Sequence, residues 1–157
     1  MEKTKIITIK DYQNRGKTTT IWLLLKALIE DGAEVQEIYD LNHSRHIEIP
    51  NEMPPQELYD VRVILRWRGR VVVIIGRGDY ANYLVADIQW ALNIEPDFVV
   101  CAVQCRVRKN DKWDAFNAAF PNNVYARISF WVERAKGENE IPIVAHPTIE
   151  AIMKYMA

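Results

Sequence analysis

The chain is short of cysteine, of net charge and of long apolar runs. Cys101 and Cys105 are the only cysteines among 157 residues, too few for a disulfide framework or a four-thiolate zinc site. Twenty Lys and Arg against 21 Asp and Glu leave a net charge of −1, so the general attraction of a basic protein to nucleic acid or an anionic membrane is missing. We therefore expect both thiols in the core, and nucleic acid is a less favoured partner.

No apolar run in the sequence approaches the roughly 20 residues that span a bilayer. The first residues lead directly into an apolar strand, without a stretch of signal length. We therefore expect a cytoplasmic protein with no membrane partner. Its 157 residues, 49% of them hydrophobic, are enough for one ordinary core, and no repeat or linker divides them. The prediction is a single domain over residues 1–157.

The start of the chain predicts a strand followed by a helix. Lys5 to Ile9 is a short apolar-rich run that ends at polar residues, as a strand does before a loop. From Lys17 to Asp31 apolar residues recur at helical spacing, and Gly32 supplies a left-handed stop. The apolar face consists of Ile21, Leu24, Leu25, Leu28 and Ile29.

Between the predicted strand and helix lies the sequence D-Y-Q-N-R-G-K-T, residues 11–18. The phosphate-loop pattern is Gly, four residues, Gly, Lys and Ser or Thr in this setting, and Gly16, Lys17 and Thr18 match it. In such a loop N–H groups converge on phosphate oxygens, the lysine neutralises the β and γ phosphates, and the hydroxyl ligates magnesium. The predicted nucleotide-binding residues are Asp11, Asn14, Arg15, Gly16, Lys17, Thr18 and Thr19.

Asp11 departs from the pattern, because it stands where the first glycine is expected. Asp tolerates a positive φ better than most residues, so the turn can still form at some cost in strain. Its carboxylate, however, lies close to where anions would bind. Either Arg15 offsets this charge or the loop is degenerate.

Through Gly16-Lys17-Thr18-Thr19 and the surrounding strand, loop and helix, the chain resembles the P-loop NTPase and kinase superfamily. The resemblance covers roughly the first 35 residues well, and beyond them it rests only on the general order of helices and strands. It implies a three-layer P-loop NTPase-like α/β fold, a nucleoside triphosphate with magnesium as ligands, and either NTP hydrolysis or phosphoryl transfer by a small kinase. An Asn-Lys-x-Asp guanine-reading motif has no counterpart in the sequence, so ATP is favoured over GTP. Lys17 would then be a catalytic residue.

The middle of the chain predicts a hairpin at the edge of the sheet. Val61 to Trp67 alternates apolar and polar residues, as a half-exposed strand does. Val71 to Ile75 is apolar throughout, which is typical of the centre of a covered sheet. We therefore expect a mostly parallel sheet with an antiparallel edge hairpin at about residues 61–76.

The remainder predicts further helices and strands. Asp97 to Val103 is a second apolar strand, and Tyr83 to Leu92 and Lys112 to Phe120 are expected to be helical. Ile141 to Ala145 is interpreted as a short strand, with Pro147 opening the last helix. For the weakly alternating residues 124–132 strand and helix stay open.

The resemblance also implies acidic residues at strand ends. A P-loop site holds magnesium through an acid near the end of a buried strand, directly or through water, and Asp79, after Val71 to Ile75, is the candidate catalytic and metal residue. The alternative is an ordinary polar turn. Asp40, at the end of a predicted second strand, resembles the substrate-side acid of several P-loop kinases, where it would act as general base. Its alternative is a turn former.

A basic segment follows the predicted strand Asp97 to Val103. Arg106 and Arg108 stand where the carboxyl edge of such a sheet binds ligands, and by the resemblance they would offer a cation to the γ phosphate, as kinase lids do. The alternative is a solvated loop.

Other polar patterns are less specific. His43 and His46 have a metal-like spacing, but no further Cys or His lies near them in the sequence. Solvated or substrate-loop histidines are favoured. A stripe of arginines either binds phosphates or protects an edge strand from aggregation, and the second is favoured. The stripe is Arg62, Arg66, Arg68 and Arg70.

The alternative function is a non-catalytic, degenerate P-loop domain that binds a protein or nucleic acid.

Overall fold

The structure is a computed structural model that describes residues 3–11, 17–77, 81–104, 112–132 and 137–157. Side chains are described in these ranges except at positions 11, 17, 81, 82, 104, 112 and 138. The described residues form an α/β fold with one mixed sheet and four α-helices. In chain order the elements are β1 Lys5–Asp11, α1 Lys17–Glu30, β2 Glu34–Asp40, β3 Arg45–His46, β4 Val61–Trp67, β5 Arg70–Gly76, α2 Ala81–Asn93, β6 Phe98–Gln104, α3 Lys112–Ala119, β7 Ala126–Trp131, a 3₁₀ turn Glu138–Glu140 and α4 Ile141–Met156.

The sheet has seven strands in the order β3-β2-β4-β5-β6-β1-β7. Strands β5, β6, β1 and β7 are parallel to one another. Antiparallel pairing joins β5 to β4, β4 to β2 and β2 to β3. The strand direction therefore alternates from β5 through β4 and β2 to β3, and β2 points the same way as the four parallel strands.

Helices cover both faces of the sheet and give three layers. Helices α1 and α4 pack together on one face, over the larger of two apolar clusters. Helices α2 and α3 pack together on the other face, over the smaller cluster. The connection from β1 through α1 to β2 crosses the sheet in one direction. The connections from β5 through α2 to β6 and from β6 through α3 to β7 run in the opposite direction on the opposite face. All three crossovers therefore share one hand, as expected for parallel strands in one sheet.

The predicted hairpin is present, but it does not lie at the edge of the sheet. Arg68 and Gly69 have φ values of 49° and 74°, the two positive values that a tight type I′ hairpin turn requires. Strand β4 pairs with β5 on one side and with β2 on the other. Three of the six described neighbouring pairs are antiparallel, so the sheet is mixed where a mostly parallel one was expected.

The end of the chain is one helix where a strand and a helix were predicted. Helix α4 runs through Pro147 and has Pro142 in its first turn, where the N–H that proline lacks would have no partner. Its buried residues follow the helical period, which a five-residue apolar run does not reveal. They are Ile141, Ala145, Thr148, Ile149, Ile152 and Met156. Residues 126–131, left open by the sequence, form β7.

Among the described residues, no helix has both the length and the apolar character needed to cross a membrane. The buried thiol of Cys101 lies in the smaller apolar cluster, as the sequence predicted. Burial raises its pKa to about 12, with Arg127 opposing the shift. Cys105 lies outside the described residues.

Candidate functional site

The carboxyl ends of five strands that point the same way meet at one edge of the sheet. These ends are Asp40 of β2, Gly76 of β5, Gln104 of β6, Asp11 of β1 and Trp131 of β7. Each of the helices α1, α2 and α3 follows one of these strands, so each begins at the same edge. In open α/β sheets ligands bind outside the carboxyl ends of the strands. This edge is therefore the candidate site.

Within the edge, β1 and β6 mark the position where the connections diverge. The two strands are adjacent and parallel, with Asp11 and Gln104 as register partners. Strand β1 leads to α1 on one face, whereas β6 leads to α3 on the other. Two such connections leave a crevice between them, and the position between the two strands is called the switch point. In doubly wound sheets ligands lie at this point.

The described residues on either side of the predicted phosphate loop lie at this switch point. Strand β1 ends at Asp11 and α1 begins at Lys17, so the predicted strand and helix flank the motif as expected. Thr18 and Thr19 lie in the first turn of α1 with half-buried side chains. The other predicted loop residues, Asn14, Arg15 and Gly16, lie outside the described residues.

Gly76 sets how closely α1 approaches the end of β5. A Cβ atom on Gly76 would lie 3.0 Å from Cγ2 of Ile21 in α1 and 3.5 Å from Cγ1 of Val61. The first is tighter than an ordinary van der Waals contact. Helix α1 therefore begins above the end of β5 as well as beside β1, although β6 separates the two strands.

Beyond β5, Arg77 forms an ion pair that the sequence did not reveal. Its Nε lies 2.6 Å from Oδ2 of Asp87 in α2. Burial raises the pKa of the Asp87 carboxyl, and the charges of Arg77 and Arg62 oppose that shift. No sequence signal predicts the pair, because it forms only when α2 folds over β5. The predicted metal residue Asp79 and the predicted clamp residues Arg106 and Arg108 lie outside the described residues.

Asp40 is buried at the end of β2, only 2% exposed, and its two oxygens are already hydrogen bonded. Oδ1 accepts the backbone N–H groups of Asn42 at 3.0 Å and of His43 at 3.1 Å. Oδ2 lies 2.7 Å from Nδ1 of His43 and 3.7 Å from Nε of Arg45. These contacts are those of a turn-forming carboxylate, the alternative to a general base that the sequence left open.

The same contacts set the charge of Asp40. Burial raises the pKa of this carboxyl, but the hydrogen bonds from His43 and Asn42 and the charge of His43 outweigh it and lower the pKa from 3.8. Because the folded pKa is lower than the unfolded pKa, Asp40 contributes stability above the unfolded value, and that stability is lost as the pH falls through the folded value.

We predict that Asp40→Asn lowers the free energy of unfolding by about 1–3 kcal/mol at pH 7, since hydrogen bonds to a charged group are replaced by neutral ones. The difference from wild type should shrink below about pH 4, where the unfolded carboxyl is protonated. Urea denaturation between pH 2.5 and 7 measures it. Glu52→Gln removes the same charge from an exposed loop position and serves as the control. A difference for Asp40→Asn that does not change with pH would contradict this account.

The two predicted loop histidines each face a carboxylate of β2. His43 pairs with Asp40, whereas Nε2 of His46 lies 3.2 Å from Oε1 of Glu37. Asp40 and Glu37 belong to different faces of the strand, with Ile38 and Asp40 towards α1. The described residues contain no group of three or more His, Cys, Asp and Glu side chains that could hold a metal.

Arg62 and Arg68, two of the four arginines in the predicted stripe, contact other side chains of the fold. The Arg62 guanidinium lies 3.7 Å from the centre of the Trp90 ring and 4.7 Å from that of Tyr39, and its Nη2 is 3.5 Å from Oε1 of Glu37. Arg68 donates to Asp31. Since β4 is an interior strand, neither edge protection nor phosphate binding is needed to explain Arg62.

Aromatic side chains and a lysine flank the end of β1 on the side of α3. The Nζ atom of Lys10 lies 3.5 Å from the centre of the Trp113 ring and 4.9 Å from that of the Trp131 ring. Trp113 stacks on Phe116 of the smaller core cluster, whereas Trp131 is 46% exposed.

Comparison with known proteins gives no match to a family model, a curated protein or a solved structure. The likeness to the P-loop superfamily therefore remains an expectation drawn from the residues around Lys17.

Proposed function

We propose that the chain binds a nucleoside triphosphate at the switch point between β1 and β6, and that it hydrolyses the triphosphate or transfers its γ phosphate. ATP is favoured over GTP. The observation that carries the proposal is that α1 begins with Lys17-Thr18-Thr19 at the carboxyl end of β1, where the connections from β1 and β6 leave for opposite faces. This is the position of ligands in doubly wound sheets.

Helix α1 suits an anion at its beginning. It runs for 14 residues from Lys17 to Glu30, and the aligned peptide dipoles of such a helix place about half a positive charge at its N-terminus. The first N–H groups of a helix have no partner within it, so they are donors for phosphate oxygens. Lys17 would add a full positive charge beside the β and γ phosphates, offsetting the negative charge of Asp11.

Thr18 and Asp79 are the proposed protein ligands of a magnesium ion that would be bound mainly through the nucleotide. Magnesium in such sites takes one or two protein ligands together with phosphate oxygens and water, so a three-residue metal cluster is not required. Thr18 would supply a hydroxyl from the first turn of α1, and Asp79 would supply a carboxylate, directly or through water. The ion would neutralise charge on the phosphates when bound.

The position of α1 over β5 supports this assignment of Asp79. A Cβ atom on Gly76 would lie 3.0 Å from Cγ2 of Ile21 in α1, so the end of β5 lies close to the first turns of that helix. Asp79 follows Gly76 by three residues, and three residues extend at most about 10 Å. The length of the chain therefore permits Asp79 and Thr18 to act on one ion.

The acceptor side of the reaction is less specified. Asp40 was assigned as a general base by resemblance, yet both of its oxygens accept hydrogen bonds and its pKa is lowered, which makes it a weak base. We propose instead that Asp40 holds the turn after β2 and orients His43. Arg106 and Arg108 remain proposed cations for the γ phosphate.

The test is calorimetric titration of ATP and of GTP with magnesium. We expect Lys17→Ala to weaken ATP binding at least about tenfold, because a charged hydrogen bond to phosphate is worth about 1.5–3 kcal/mol. Lys26→Ala is the matched control, since Lys26 is an exposed lysine of the same helix, and it should bind ATP as wild type does. Absence of heat with both nucleotides in wild type would contradict nucleotide binding and leave the non-catalytic interaction domain as the interpretation.

A further inference from the structure

Trp131 is a large aromatic side chain that stands nearly half exposed at the candidate site. It is the last residue of β7 and is 46% exposed. Strand β7 lies next to β1, and Trp131 is the register partner of Lys10, one residue before the end of β1. Single exposed apolar residues are common on protein surfaces, but this one lies on the edge of the sheet where ligands bind.

Lys10 adds a positive charge beside the Trp131 ring. Its ammonium lies 4.9 Å from the centre of that ring and 3.5 Å from the centre of the Trp113 ring. A cation is attracted to the electron-rich face of an indole. The cluster therefore presents an exposed aromatic surface and a cation together, close to the end of β1.

The backbone that carries Trp131 is fixed from two sides. The hydroxyl of Thr148, buried on α4, donates to the carbonyl of Trp131 at 2.7 Å. The N–H of Val132 donates to the carbonyl of Lys10 at 3.1 Å. A binding surface that is ordered before the ligand arrives loses less conformational entropy on binding.

The geometry points to Trp131 as the surface on which the base of the bound nucleotide stacks. This assignment rests on the proposed function, because Trp131 lies beside the strand that leads into the phosphate loop. Every nucleobase has a π face, so stacking on an aromatic ring discriminates little between bases. The contact therefore strengthens the binding of ATP and GTP alike, and it adds nothing to the binding of a phosphate chain without a base.

The experiment compares ligands with and without a base. ATP, GTP and inorganic tripolyphosphate, each with magnesium, are titrated by calorimetry into wild type and Trp131→Ala. We expect the variant to bind both nucleotides about tenfold more weakly, as for loss of one base stack, and to bind tripolyphosphate as wild type does. Trp131→Phe restores an aromatic face and should recover most of the lost affinity.

Tyr155 provides a matched control for the loss of an exposed aromatic residue. It is 37% exposed, and Nζ of Lys5 lies 5.6 Å from the centre of its ring. Lys5 is the first residue of β1, so this second pair of a lysine and an aromatic ring lies at the opposite edge of the sheet. Tyr155→Ala should leave the affinity for ATP unchanged.

Three results would overturn the assignment. If Trp131→Ala leaves the affinity for ATP unchanged, Trp131 does not stack on the base, and the proposed function still stands. An equal loss of affinity for ATP and for tripolyphosphate shows that the effect does not depend on the base. A wild-type chain that binds neither ligand overturns both proposals. If circular dichroism shows that Trp131→Ala is unfolded, Trp131→Leu is used in the same comparison, because it keeps apolar bulk without a π face.

Discussion

Replacing Trp67 with Ala is expected to lower the free energy of unfolding by about 3–5 kcal/mol, the usual cost of removing a large aromatic side chain from a core. Trp67 ends β4, is only 1% exposed and belongs to the cluster under α1 and α4. Its Nε1 also donates to Oδ2 of Asp31 at 2.9 Å. Since Asp31 directly follows α1, the indole fixes the end of the helix that begins at the candidate site. Urea denaturation measures the change.

A second variant separates packing from the hydrogen bond. Trp67→Phe keeps most of the buried ring but removes the donor to Asp31, so we expect it to cost about 1–2 kcal/mol. Asp31 keeps one partner, because Nη2 of Arg68 lies 3.1 Å from the same Oδ2. A loss in Trp67→Phe as large as that in Trp67→Ala would mean that the hydrogen bond, and not the volume of the ring, carries the effect.

The local parts of this fold could be predicted because their signals are local. The apolar face of α1 recurs at helical spacing, and the apolar run 71–75 requires cover on both sides. The hairpin turn follows from Gly69 beside Arg68. Each of these signals is complete within about a dozen residues.

The arrangement of the strands could not be predicted in the same way. Strand β6 lies between β1 and β5, and β2 pairs with the other side of β4. The sequences of the individual strands contain no signal for either pairing. Alternation along β4 indicates one less polar face but does not say whether a further strand pairs beside it. The supposed edge hairpin is therefore interior, and Arg62 packs between Trp90 and Tyr39.

The same limit applies to the candidate site. The loop motif at Lys17 is a sequence signal, but the Arg77–Asp87 ion pair and the saturation of Asp40 arise only in three dimensions. Trp113 stacks on Phe116 of the smaller cluster whereas Trp131 is 46% exposed, and residue type alone does not predict this difference. Residue type predicts a phosphate-binding segment around Lys17, and only packing distinguishes the other side chains of the candidate site.

Replacing Gly76 with Val is expected to lower the free energy of unfolding by about 2–3 kcal/mol, since extra methyl groups in a filled space force neighbours apart. The added Cβ alone would lie 3.0 Å from Cγ2 of Ile21, so Gly76→Ala should cost about 1 kcal/mol. The strain falls between the end of β5 and the first turns of α1. A displaced α1 would also weaken the nucleotide binding proposed above. Urea denaturation and ATP titration of the same variants measure both effects.

Gly137→Ala is the matched control for this steric argument, because no described heavy atom lies within 4 Å of a Cβ built at Gly137. A double-mutant cycle then locates the contact. Ile21→Ala removes the methyl group that Gly76→Ala would meet, so in that background Gly76→Ala should cost less than it does alone. If the two substitutions are additive, the contact between Gly76 and Ile21 does not restrict side-chain size at position 76, and the close approach of α1 to β5 has another origin.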